Sequence, residues 1–163
     1  MVYKKFKKIS LLEWQNYPKP LEDLIVQSSS TCGKDLSRVY PIGMHYTYIL
    51  ENDKYSIQRG PHLKTVFCAI NPSTDILRRG DKNINRIKII NNLKKNNIKN
   101  DYPAYNYFKN LTNYKFVISP EGNGIDCHRT YEALIAGCIP ILEFNQEIYD
   151  KYSKMPILWT KDY

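Results

Sequence analysis

Twice in this chain a short apolar run stops at a proline turn and gives way to a helical pattern, and that repetition narrows the folds open to it. Val66-Phe67-Cys68-Ala69-Ile70 ends at Asn71-Pro72-Ser73-Thr74-Asp75, and Phe116-Val117-Ile118-Ser119 ends at Pro120. An apolar run of this length bounded by turn residues reads as a buried strand. After the first run Ile84, Ile87, Ile90 and Leu93 recur at near-helical spacing, and a shorter helix is expected over 105–111, beyond Pro103. After the second run a helix is expected from about Cys127 to Ala136, stopped by Gly137. Ile139-Pro140-Ile141-Leu142 reads as a strand, 146–152 as a short helix and 157–160 as a last strand. Strands alternating with helices predict an α/β fold, a Rossmann-like parallel sheet with helices on both faces. Such a sheet binds ligands beyond the carboxyl ends of its strands, which sets the turns 71–75 and 119–126 along one edge of the same crevice.

The chain of 163 residues has the size of one ordinary domain. The regular pattern occupies 63–163, expected to be the ligand-binding domain. Residues 1–62 are irregular, with Pro18, Pro20, the run Ser28-Ser29-Ser30 and Pro41, and are expected to pack on that core. A net charge of +8 favours polyanions, phosphorylated ligands or acidic membrane surfaces without choosing among them, and runs such as Lys4-Lys5-Phe6-Lys7-Lys8 also serve solubility. The four cysteines form no Cys-x-x-Cys pair and two lie in apolar stretches, so a reducing, cytoplasmic setting is expected. No apolar segment reaches membrane-spanning length, and no signal-peptide core follows the lysine-rich start. Asp-x-Asp does not occur, and the three histidines and four cysteines lack ligand spacing, so no metal site is expected.

The chemistry concentrates in Ser119-Pro-Glu-Gly-Asn-Gly-Ile-Asp-Cys-His-Arg-Thr-Tyr-Glu132. Gly122 and Gly124 allow backbone to pass close to a ligand, and the helix start beyond them presents unpaired N–H groups to an anion. On a helical wheel Thr130, Tyr131, Leu134 and Ile135 share the arc expected to pack, while His128, Arg129 and Glu132 share the arc expected to face solvent or ligand. Arg129 offers a planar fork for phosphate, His128 a donor, and Glu132 an acceptor for the two hydroxyls of a ribose. Together these describe a nucleoside diphosphate. The plainer reading is that Asp126, Arg129 and Glu132 are surface ion pairs at three-residue spacing.

The stretch from Tyr114 to Leu142, with its Lys-Phe strand start, Pro120, the Gly-containing loop, Arg129 and Glu132-Ala-Leu-Ile-Ala-Gly-Cys-Ile-Pro140, resembles the donor-binding segment of exostosin-like glycosyltransferases of the GT-B class. The resemblance implies the C-terminal half of a GT-B fold and a metal-independent transfer of sugar from a nucleotide-sugar to a glycan or protein acceptor. It further implies no cofactor beyond that co-substrate. Glu132 would hold the ribose and Arg129 with His128 the diphosphate, while Asn123, Gly124 and Asp126 would border the sugar, with Glu121 counted among the donor-binding residues. Thr74 and Arg79 match the loop and basic residue after the family's first C-terminal-domain strand. GT-B enzymes carry the acceptor site and the usual base on a second Rossmann-like domain, which 1–62 is too short to make, so a partner chain is an expected source of it. His45 and His62 are candidates for a general base by residue type alone.

Three other readings are open. One is a non-catalytic nucleotide-binding remnant. Cys32-Gly-Lys-Asp-Leu-Ser-Arg38 has the spacing of a cysteine-phosphatase loop, without its glycines or a strong preceding strand. The positive charge interleaved with Tyr102, Tyr105, Tyr107 and Phe108 suits a nucleic-acid-binding module, though no nucleic-acid signature accompanies it.

Overall fold

The computed structural model describes residues 42–45, 47–48, 59–80 and 84–163. The phosphatase-like stretch 32–38 and the basic run 4–8 lie outside them. Among the described residues the elements run β1 (Lys64–Phe67), α1 (Ile76–Arg79), α2 (Arg86–Lys95), α3 (Tyr107–Leu111), β2 (Tyr114–Ile118), α4 (His128–Ile135), β3 (Ile139–Glu143), α5 (Gln146–Tyr152) and β4 (Leu158–Thr160). The strands form one sheet in the order β1-β2-β3-β4, every pair parallel, with Phe67 beside Val117, Val117 beside Pro140 and Leu142 beside Trp159.

Alternation along the strands sorts the core onto two faces. Phe67 and Val117 pack with Phe108 and Leu111 of α3 and with Ala133 and Ala136 at α4. On the other face Cys68, Ile70 and Ile118 pack with Ile89 and Leu93 of α2. Helices therefore cover both faces, as the strand–helix alternation predicts. A smaller cluster joins Ile125 to Ile148 and Tyr152 of α5 and to Trp159. Among the described residues no helix is long and apolar enough to cross a membrane.

Details differ from the sequence reading. The β1 ladder spans 64–67, and Cys68 to Ile70 continue beyond it, buried; there Asn100 brackets Ile70, its amide accepting from Ile70 N at 2.8 Å and donating to Ile70 O at 2.9 Å. In α2 the inward residues are Arg86, Ile89 and Leu93, whereas Ile87 is 47% exposed. Strict three-residue spacing drifts off a 3.6-residue turn, and the buried set keeps the helical period where the isoleucine series does not. The inward face of α4 matches the expected arc only in part: Thr130 is buried as expected, but Glu132 and Ala133 are buried with it, and Ile135 is 44% exposed. The small Ala133 and Ala136 let the helix lie close on the sheet, which turns Glu132 inward with them. Gly137 ends the helix at φ +80, with Gly137 N bonded to Leu134 O and Cys138 N to Ala133 O, the left-handed stop that glycine favours.

Candidate functional site

The loop from Ser119 to Cys127 leaves β2 at its carboxyl end and delivers the chain to α4. Ser119 Oγ lies 3.0 Å from Thr130 Oγ1 in the interior, and the Cys127 thiol donates to Pro120 O, so the loop folds back on the helix it introduces. The turns after β1 and β2 adjoin, because the strands do. Arg86 ties them together, donating to the carbonyls of Asn71, Pro120 and Glu121. This explains Gly122 differently from the sequence reading. A Cβ there would lie 2.9 Å from an Arg86 guanidinium nitrogen and 3.3 Å from the Thr74 methyl, so the close approach that needs glycine is to this chain's own side chains. Gly124 is buried and its carbonyl accepts from Gly122 N, while Asn123 is exposed.

The residues singled out in the sequence fall into two groups. In the first, Arg79 is buried between Asp75 at 2.8 Å and Glu143 at 2.5 Å. Glu143 also accepts from Glu121 N at 2.7 Å, and Glu121 Oε2 meets Arg78 at 2.5 Å. Burial opposes the Arg79 charge, but Glu143, then Glu121 and Asp75, hold its pKa above the ordinary value. These bonds commit Arg79 and Glu121 to fastening the loop after β1 to the ends of β2 and β3. Thr74 stands beside this network, with its methyl toward Gly122.

The second group surrounds the first turn of α4, where a short segment from the irregular region lies against it. Gly43 has φ +68, a conformation that favours glycine, and the turn it makes directs three backbone contacts at the helix, from residues 42, 43 and 45. Ile42 N donates to Asp126 Oδ2 at 3.1 Å, His128 Nδ1 donates to Gly43 O at 2.7 Å, and His45 N donates to Glu132 Oε1 at 3.3 Å. The His45 and His128 rings meet edge to face with centroids 5.3 Å apart. Asp126 also accepts from Cys127 N and from the Tyr131 hydroxyl at 2.6 Å. Arg129 reaches inward to donate to Ala69 O at 2.8 Å, with its guanidinium 5.7 Å from the centre of the Tyr107 ring.

Glu132 is 4% exposed. Burial pushes its pKa up, against the pull of the His45 N–H, Arg129 and His128. His45 is shifted down by burial and by the neighbouring His128. Tyr107, raised by burial, keeps its hydroxyl close to the charges of both Arg129 and Glu132. Among the described residues Tyr48 Oη, Tyr107 Oη and Arg129 Nε are buried without a well-aligned hydrogen bond, although the Tyr107 hydroxyl lies within interacting reach of both Arg129 and Glu132. The arrangement thus brings two poorly satisfied donors, one buried acid and two imidazoles into one place.

His62 is elsewhere: its Nε2 contacts Ala136 O beyond the far end of α4, a tether and not part of this group. Of the aromatics considered for nucleic acid, Tyr107 and Phe108 pack into the core, while Tyr105 is 89% exposed. His45, Tyr107, Arg86 and Glu143 acquire their places only by folding, and the one local hint among them is the charge of Glu143 closing an apolar strand. Among the described residues no group of His, Cys, Asp and Glu is arranged to hold a metal ion. No protein-family model matches the chain, and no curated protein matches it.

Proposed function

We propose that this chain binds a nucleotide-sugar at the start of α4 and transfers its sugar to a glycan or protein acceptor, acting as a GT-B-like glycosyltransferase or as the donor-binding half of one. The observation that supports the reading is the buried acid Glu132 beside Arg129 Nε and Tyr107 Oη, two buried donors that lack a well-aligned bond, at the edge of a parallel sheet where ligands of such folds bind. Buried polar atoms without a well-aligned bond are costly, and a polar ligand would satisfy them. Glu132 would accept from ribose hydroxyls, and the N-terminus of α4 with Arg129 would hold the leaving diphosphate in place of a cation. A partner chain would supply the acceptor domain.

A second reading rests on the bonds from the 42–45 backbone to Asp126, His128 and Glu132: the polar first turn of α4 serves to dock that segment and binds no ligand. Thermal-shift or NMR titration with UDP, GDP and their sugars separates the two, on the wild type and on Glu132→Ala. The nucleotide reading expects saturable binding that the variant weakens at least tenfold. Binding by no nucleotide returns the turn to a docking role, and equal binding by the variant removes Glu132 from the ribose.

A further inference from the structure

The partners of the two imidazoles decide which nitrogen of each carries hydrogen. A carbonyl only accepts, so His128 Nδ1, 2.7 Å from Gly43 O, carries the hydrogen and the lone pair of the neutral ring lies on Nε2. His45 is the reverse. Its Nδ1 accepts the backbone N–H of Thr47 at 3.3 Å, with Thr47 Oγ1 at 2.8 Å, so the neutral ring carries its hydrogen on Nε2. One imidazole is set as a base and the other as a donor, edge to face at the same helix start.

Resting on the nucleotide-sugar reading above, we propose that His128 Nε2 is the general base that deprotonates the acceptor hydroxyl, with the Gly43 carbonyl holding the ring in the required tautomer. The acceptor oxygen forms its bond to the anomeric carbon as the bond from that carbon to the diphosphate oxygen breaks. The hydroxyl proton passes to Nε2, and the electron pair of the broken bond leaves on the diphosphate. The imidazolium keeps its Nδ1–H on Gly43 O, is stabilised by Glu132 one helical turn on, and then returns its proton to water. The base of this transfer thus lies on the donor-binding helix. The irregular segment that the second Rossmann-like domain would otherwise replace serves to orient it.

Asparagine at 128 tests this, because its amide nitrogen stands where Nδ1 stands and keeps the bond to Gly43 while deleting Nε2. The full chain is given UDP-glucose, UDP-N-acetylglucosamine and GDP-fucose with water as acceptor, and released UDP or GDP is measured beside nucleotide binding. His128→Asn is expected to bind UDP or GDP within about threefold of wild type and to release it at least about 100-fold more slowly. Undiminished release by the variant overturns the base and leaves the nucleotide site standing, as does a wild type that binds nucleotide but releases none from any of the three donors. A wild type that binds no nucleotide overturns both. Long-range ¹H–¹⁵N spectra of the wild type need no variant: hydrogen on Nδ1 of neutral His128 is expected, and hydrogen on Nε2 overturns the proposal.

Discussion

Arg79 meets Glu143 at 2.5 Å in the interior, and this contact joins the helix after β1 to the carboxyl end of β3, two strands away. Asp75 completes the clamp, its Oδ2 accepting from both Arg79 Nε and Arg86 N. Breaking a buried pair leaves an uncompensated charge at a cost of about 3–5 kcal/mol. Arg79→Met strands two buried carboxylates and is expected to fall at the upper end of that range. Glu143→Leu leaves Arg79 its bond to Asp75 and is expected to fall at the lower end. Urea unfolding of the two variants measures the order, and a smaller loss for Arg79→Met would contradict the clamp.

Glu132 gives a pH-dependent prediction. Its folded pKa is raised, so its contribution is fully present below the unfolded pKa and is lost as pH rises through the folded value. Once ionised, the side chain weakens the fold. Glu132→Gln keeps an oxygen for the His45 N–H and removes that charge. Its melting temperature is expected to exceed that of the wild type at pH 7.5, with the difference shrinking toward pH 4. The same variant is expected to bind nucleotide more weakly, since an amide offers fewer acceptor sites to a pair of ribose hydroxyls. Calorimetry at a series of pH values, beside a UDP titration, checks both signs.

Gly122→Ala places a methyl 2.9 Å from the Arg86 guanidinium. That group is held by three backbone carbonyls and cannot yield without losing them. Overpacking of this kind is expected to cost about 1–3 kcal/mol. Denaturant unfolding checks the loss, and pairing the change with Arg86→Ala should cost less than the two separate losses combined, because both disturb the same bonds.

Asn100 supplies one donor and one acceptor to Ile70, a residue with no exposed surface. Asn100→Ala leaves both backbone groups unsatisfied, at about 1–3 kcal/mol each. Asn100→Asp keeps the acceptor for Ile70 N but turns an acceptor toward Ile70 O, and is expected to be at least as damaging at neutral pH. Hydrogen exchange of the Ile70 amide, faster in both variants than in the wild type, localises the effect.

The parallel character of the sheet and the helices between its strands were legible because each segment carries its own signal. Apolar runs at Val66 and Phe116 end at turns, and Gly137 marks a helix stop through its backbone alone. The inward faces of α2 and α4 were less legible. Arg86 and Glu132 are buried against their residue type, because neighbours distant in sequence satisfy them: the carbonyls of two loops for Arg86, and the amide of His45 for Glu132. A helical wheel drawn from hydrophobicity counts such residues as outward.

The segment Ser119 to Glu132 shows the division most directly. By itself the sequence determined that a glycine loop leads into a helix start rich in His, Arg and Glu, since turn and helix propensities are local properties of the chain. Tertiary structure alone decided what those side chains meet. It sent Arg79 and Glu121 into an ion network, made Gly122 a neighbour of Arg86, and brought His45 from 87 residues away to Glu132. Contacts between distant segments depend on how the sheet is crossed and closed, and no local pattern records them.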